Sequence, residues 1–208
     1  PVQWVDFSSF LFVPSPAVFK FMGGTIQDGA GNNANLLVPA PGTAGSLAAA
    51  AALVIDGQGP VVSSSGLTSL TAPGPRGVGS VITIQVPFTR VVTVNTTAGS
   101  PTLLLETGRI DRSATYLSGS GTNTLSFQYT VQSGDSSADL DVTTSAALQL
   151  NGATIRDAAG NNATLILPLP GQAGSLAANA DLVIDSAAPV VATSGVRSPS
   201  ANGVYGVG

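Results

Sequence analysis

The chain has no cysteine and no histidine, and its 208 residues include only one lysine, one methionine and one tryptophan. Without cysteine there is neither a disulfide staple nor a thiolate for a soft metal. Without histidine the commonest general base is missing, and with it most nucleophilic triads. Charged side chains make up 9% of the chain, where an ordinary globular chain has about a quarter. The surface must therefore be wetted mainly by hydroxyls and amides. The net charge of −4 and the lack of any basic cluster argue against nucleic acid and anionic membranes as partners.

A long apolar run is missing too. The longest uncharged stretch, residues 29–55, is interrupted by Asn32, Asn33, Asn35, Pro39 and Pro41. Its most apolar part, SLAAAAALVI, is about half the roughly 20 residues that cross a bilayer, so no membrane span is expected. The opening PVQWVDFSSF has no basic n-region and carries Asp6, unlike a signal peptide. Paired carboxylates could in principle hydrolyse glycosides, but the candidate pairs lie on repeated turns. The GVG and GSG pieces lack the lysine and strand-to-helix context of a phosphate loop. The expectation is a protein that is not an enzyme.

What the chain does have is a repeat. GGTIQDGAGNNANLLVPAPGTAGSLAAAAALVIDGQGPVV (residues 23–62) returns as GATIRDAAGNNATLILPLPGQAGSLAANADLVIDSAAPVV (residues 152–191), without a gap. Downstream, VVSSSGLTSLTAPGPRGVG (61–79) matches VVATSGVRSPSANGVYGVG (190–208), and a thinner match continues upstream. One offset of about 129 residues relates all of it, with roughly 35 identities in the strongest block. Such a period is too long for a solenoid coil and suits a whole domain. Residues 60–188 then form one complete unit. Residues 1–59 are the back half of a preceding unit, and 189–208 open a following one, as in a fragment of a longer tandem array. Half-units would be completed by other chains or keep open strand edges.

Within the complete unit the pattern is that of short strands. VITIQVPF places Ile82, Ile84, Val86 and Phe88 on one face, and NTLSFQYTV turns Leu125, Phe127, Tyr129 and Val131 inward. PTLLLETG sets Leu103 and Leu105 on one side. Further strands are expected at 61–65, VVTVN, SATYLSGS, AALQL, ATIRD, ATLILPL and ADLVID. Gly, Asn and Pro turns separate them, notably Asn151-Gly152 and residues 157–161. GDSSADLD reads as a single helical turn with Asp135 as its N-cap. The sum is an all-β sandwich, large enough to bury a core without metals or disulfides.

These residues carry a resemblance. The ITIQVPF strand after the GVG turn, TLLLETG, ATYLSGSGTNTLSFQYTVQSGD, DAAGNNATL and the LVID junction before PVV resemble bacterial immunoglobulin-like or cadherin-like repeats of large surface adhesins. The resemblance covers essentially the whole chain. It implies tandem immunoglobulin-like β-sandwich domains acting as an extracellular or cell-surface spacer, or as a building block of a filament. It also implies calcium at turns and junctions. Two features depart from the pattern: Ser80 stands where such repeats often have Asp, and Phe10 and Phe12 replace Asp139 and Asp141 in the first copy. Neighbouring copies of the same chain or repeat are the expected partners, with glycans as a further class. The alternative is a carbohydrate- or surface-binding adhesin module.

Three acidic groupings are candidates for calcium. Asp157 with Asn161, and Asp28 with Asn32 in the first copy, form D-x-x-G-N. There carboxylate, amide and turn oxygens can converge on a hard cation, or an Asx turn can form with Gly160 at positive φ. Asp185 and Asp56 precede the junction prolines, where a carboxylate either holds an interdomain cation or ends a strand in solvent. Asp135, Asp139 and Asp141 repel one another unless solvated or bridged. The first copy also gathers Trp4, Phe7, Phe10, Phe12, Phe19 and Phe21, read either as a bulkier core or as a docking patch. Asn95-Thr96-Thr97 and Asn162-Ala163-Thr164 are N-x-T sequons, and Ser15-Pro16 and Ser198-Pro199 are further modification candidates.

Overall fold

In the computed structural model the described residues are 6–9, 11–17, 19–20, 22–191, 195 and 203. Trp4, Phe10, Phe21, Ser198 and Pro199 lie outside them. The elements run β1 (Phe7–Ser8), α1 (Leu47–Ala50), β2 (Ile55–Asp56), β3 (Thr68–Ser69), β4 (Gly74–Arg76), β5 (Val81–Asn95), β6 (Thr102–Glu106) and β7 (Arg112–Ser118). Then come β8 (Thr122–Thr130), β9 (Ser136–Ser137), β10 (Asp141–Val142), β11 (Leu148–Gln149), β12 (Thr154–Arg156), α2 (Leu176–Ala180) and β13 (Leu182–Asp185). The described residues are all-β apart from two short helical turns.

The main sheet is antiparallel, in the order β10-β6-β7-β8-β5-β12, with β11 also on β6 and β3 on β5. A second sheet, β4-β13-β9, pairs β13 parallel to β4 and antiparallel to β9. The two-residue period does what alternation dictates. Ile82, Ile84, Val86 and Phe88 of β5 and Leu125, Phe127 and Tyr129 of β8 are all buried, as are Leu103 and Leu105 of β6. They form one core with Leu140, Leu176, Leu182 and Ile184 from the back half of the unit. VITIQVPF and VVTVN belong to one strand rather than two. The register shifts between Pro87 and Val92, where proline cannot donate to the ladder and the strand bends into a bulge.

Several local expectations are corrected. Residues 61–65 and 163–169 are not strands. They contribute only bridges, Val61 with Thr164 and Val62 with Phe88. SLAANA, for which no element was expected, forms α2, with Ser175 Oγ accepting the N–H of Ala178 as an N-cap. Asp135 does not cap a helix. Its buried carboxylate accepts from Tyr129 Oη at 2.6 Å, Arg112 Nε at 2.9 Å and the Gln132 N–H at 2.8 Å. The residues after it enter β9. The tyrosine and arginine offer stronger donors than a helix end would, and they hold the turn against the core.

The first copy repeats the backbone pattern of the second. Phe7 and Ser8 face Asp56 and Ile55, as Ser136 and Ser137 face Asp185 and Ile184. The Leu11 N–H donates to Leu53 O at 2.7 Å, as Leu140 does to Leu182 at 2.7 Å. Ser46 caps α1 through the Ala49 N–H. Both copies turn through a residue pair at positive φ, Met22-Gly23 and Asn151-Gly152. Only the second copy has a core packed on it. Phe7, Phe12 and Phe19 of the first copy are exposed.

Burial by itself would raise the Asp135 carboxyl, but the hydrogen bonds from Tyr129, Arg112 and Gln132 outweigh it and hold the group below its ordinary value. A depressed folded value stabilises the fold above the ordinary carboxylate range, and that contribution is lost as pH falls through the folded value. Asp135→Ala leaves Arg112 unpaired. It should cost about 3 kcal/mol in urea unfolding at neutral pH, and the difference from the parent should shrink in acid.

Candidate functional site: the junction between the two copies

The last strand of the first copy ends at Asp56, and the complete unit begins four residues later at Pro60. Asp56 Oδ1 accepts the Gln58 N–H at 3.0 Å, a local Asx turn that starts the linker. The same turn recurs at the far end of the unit, where Asp185 Oδ1 accepts from the Ala187 N–H at 2.9 Å. Gly59 lies against the Asn162 carbonyl with no room for a Cβ. Pro60 O accepts the Thr164 N–H at 2.8 Å. The linker is thus seated on the turn at residues 157–164.

Arg90 reaches this linker from β5, just past Pro87, where the register shifts. Its Nη1 lies 2.6 Å from Asp56 Oδ2 and 3.9 Å from Asp157 Oδ2, and it donates to Gln58 O at 3.0 Å. Asn161 works from the other side. Its Nδ2 donates to Asp56 O at 3.0 Å and to Asp157 Oδ2 at 3.0 Å. The Asn161 N–H donates to Asp157 Oδ1 at 2.8 Å, and Gly160 at positive φ closes the turn. Asp157, Asn161 and Asp56, from two different groupings in the sequence, are therefore brought together. The cation between them is a guanidinium. The pair is partly exposed, so it contributes only about 1 kcal/mol. Its larger effect is directional, because it fixes how the linker leaves the first copy.

The other predicted residues stand apart. Asp28 and Asn32 reproduce the Asx turn in the open. Asp28 accepts the Asn32 side-chain and backbone N–H groups and the Ala30 N–H, each at 2.9 Å. Those bonds, the Asn32 side chain first, hold its carboxyl below the ordinary value. Asp141 is buried and accepts from Gly171 N at 2.9 Å and Leu176 N at 3.2 Å, tying α2 to the loop before it. Asp139 is exposed, and its carboxyl is raised by desolvation and by the charges of Asp181 and Asp141. Calcium takes six to eight oxygens. Among the described residues no group of three or more acidic side chains is placed to hold a metal. The oxygens of each pair already accept N–H groups with which calcium would compete.

Arg90 was missed in the sequence. Its signal was scarcity, since a chain with so few cations is unlikely to hold one idle beside a strand bulge. Of the two sequons, Asn95 Oδ1 accepts from Thr97 and Asn162 Oδ1 from Arg156 Nε. Among the described residues no helix is long and apolar enough to cross a membrane. Comparison with family models, characterised proteins and solved structures gives no match.

Arg90→Ala should leave the unfolding free energy of the complete unit within about 1 kcal/mol of the parent. It should broaden the distance distribution between spin labels placed one on each copy.

Proposed function

We propose that the chain is a structural segment of a long extracellular fibre or cell-surface adhesin, built of tandem immunoglobulin-like β-sandwich modules and working as spacer or filament building block. The observation that carries the reading is the recurrence of one hydrogen-bond pattern at a constant offset, joined by a linker that Arg90 and Asn161 hold in place. A string of equivalent modules with braced junctions transmits length and direction, which is what a spacer must do.

The position of β13 supports a load-bearing role. It is the last strand of the unit, and β4 and β9 flank it. Tension on its C-terminal end loads several ladder hydrogen bonds at once instead of peeling them singly. The chain has no histidine or cysteine to serve as base or nucleophile, which favours a non-enzymatic reading. A carbohydrate-binding module gains less support. Phe88, Phe127 and Tyr129 of the complete unit are buried and Tyr116 is half-buried against Phe127, which leaves no exposed aromatic platform for a sugar among its described residues.

Pulled from its two ends, the complete unit should unfold in one step and release about 40 nm of chain. Stepwise release in several small increments would count against a load-bearing module. Calcium enters the proposal as a competitor of Arg90 for Asp56 and Asp157. Millimolar calcium should leave the parent melting temperature unchanged against chelator and raise that of Arg90→Ala by a degree or two, about the effect of one weak surface contact.

A further inference from the structure

Residues 150–153 carry the chain from one edge of the main sheet to the other, from β11 on β6 to β12 on β5. Asn151 and Gly152 have φ +51° and +91°, and the Ala153 N–H donates to Leu150 O at 2.9 Å. Two central residues at positive φ closed by that bond make a type I′ turn, for which Asn-Gly is a preferred pair. The same pair leaves an asparagine amide open to attack by its own backbone, because glycine has no Cβ to shield the following N–H. Among the described residues this is the one Asn-Gly pair.

The reaction needs only water. The Gly152 nitrogen bonds to Asn151 Cγ and gives up its proton, and Nδ2 leaves as ammonia, which closes a five-membered succinimide. Water then opens the ring at one of its two carbonyls, leaving aspartate or isoaspartate at position 151. Asn151 is exposed to that water.

The fold nevertheless holds the two reacting groups apart. The ring closes when the Gly152 nitrogen lies on the same side of the Cα–C bond as Cβ. In a type I′ turn the first central residue has ψ of about +30°, which puts that nitrogen nearly opposite Cβ. The 151–152 peptide must therefore turn through more than a right angle. It is packed on both sides, because Gly99 lies against the Asn151 carbonyl and Gly152 against the Ala98 carbonyl with no room for a Cβ at either glycine. The side chain is held as well: Nδ2 donates to Thr102 Oγ1 at 2.9 Å and to Ser100 O at 3.2 Å. In the first copy Met22-Gly23 adopts the same two positive φ values, +48° and +92°. Positive φ before the glycine does not require asparagine, and what Asn151 adds is the amide and its ties.

We infer that Asn151-Gly152 is a deamidation site that the fold keeps closed and that unfolding opens. Its product does not fit the native turn. Aspartate at 151 replaces a donor with a carboxylate facing the Ser100 carbonyl, and isoaspartate adds a backbone carbon to a turn with no residue to spare. A unit that refolds promptly stays unmarked, and one that remains open is marked covalently. The site stands on its own geometry. Its use as a record of overstretched units rests on the spacer reading.

The full chain, kept folded in mildly alkaline buffer or unfolded in the same buffer with urea, tests this. Peptide mass and isoaspartate-specific methylation read conversion at position 151 and separate it from Asn202-Gly203. Conversion should be at least about tenfold slower in the folded chain, because it must wait for opening. Thr102→Val removes one tie on Nδ2 and should speed conversion in the folded chain about threefold, the effect of one lost hydrogen bond, with no change in urea. Equal rates in the folded and unfolded parent overturn the inference, as does no conversion in urea or an unchanged folded rate in Thr102→Val. Asn151→Gly suits the turn and has no amide to lose. After long exposure to urea it should refold fully, while the parent loses refoldable chain in step with conversion. Equal losses in both, or a parent that refolds despite conversion, overturn the marking. Single-step unfolding under load is a separate measurement: its loss with the folded-to-unfolded contrast intact removes the spacer reading alone, and the reverse removes this inference alone.

Discussion

The structure depends on the packing of Leu140, Leu176, Leu182 and Ile184 against the inner faces of β5, β6 and β8. Those four residues belong to the repeated segment. Each fully buried leucine contributes about 1.5–3 kcal/mol relative to an exposed one, and in the first copy the counterparts Leu11 and Leu53 are exposed. Its hydrogen bonds nevertheless stay in register, because turns, caps and two-residue pairings are specified by residues close in sequence. Local chemistry sets the shape of the segment. Its stability comes from packing against β5, β6 and β8.

Electrostatics follows from the scarcity of charge. In a chain with few ionised groups, each pair acts almost alone, without a network to share or screen it. Arg112 and Asp135 are used inside, where burial is compensated by three donors to one carboxylate. Arg90 and Asp56 are used at the junction, where a half-exposed pair contributes little energy and much direction. Calcium and arginine are alternative answers to the same difficulty of two carboxylates facing each other across a joint. The arginine needs no six-oxygen shell, so the remaining oxygens can accept N–H groups from Asn161 and the linker.

Much of the fold was legible in the sequence, and the reason is physical. Alternation in β5 and β8 reports burial directly, and Ile82, Ile84, Leu125 and Phe127 lie where a period of two puts them. The Asp157–Asn161 turn, read as either an Asx turn or a cation site, forms the Asx turn in both copies. The errors came where side chains compete with periodicity. Residues 163–169 alternate well enough for a strand, yet Thr164 bridges to Val61 and the Pro168 region turns toward α2. The serine caps of both helices were visible as Ser followed by Leu-Ala-Ala, but an apolar run before LVID reads more readily as strand. Of the site, the acidic residues were legible and their grouping was not. Asp56 and Asp157 meet where Arg90, on a third element, and Asn161 each reach both of them.

The differences between the copies are not scattered. Asp141, which ties the Gly171 and Leu176 N–H groups from inside the complete unit, has Phe12 as its counterpart. Asn179, which fastens residues 65 and 67, has Ala50. Both exchanges fall on the wall of the same cavity, and both replace a fixed polar tie with apolar surface. Drift spread evenly through a packed core would favour exchanges of similar volume and polarity. The exchanges here remove two polar side chains whose hydrogen bonds fasten the repeated segment in the complete unit.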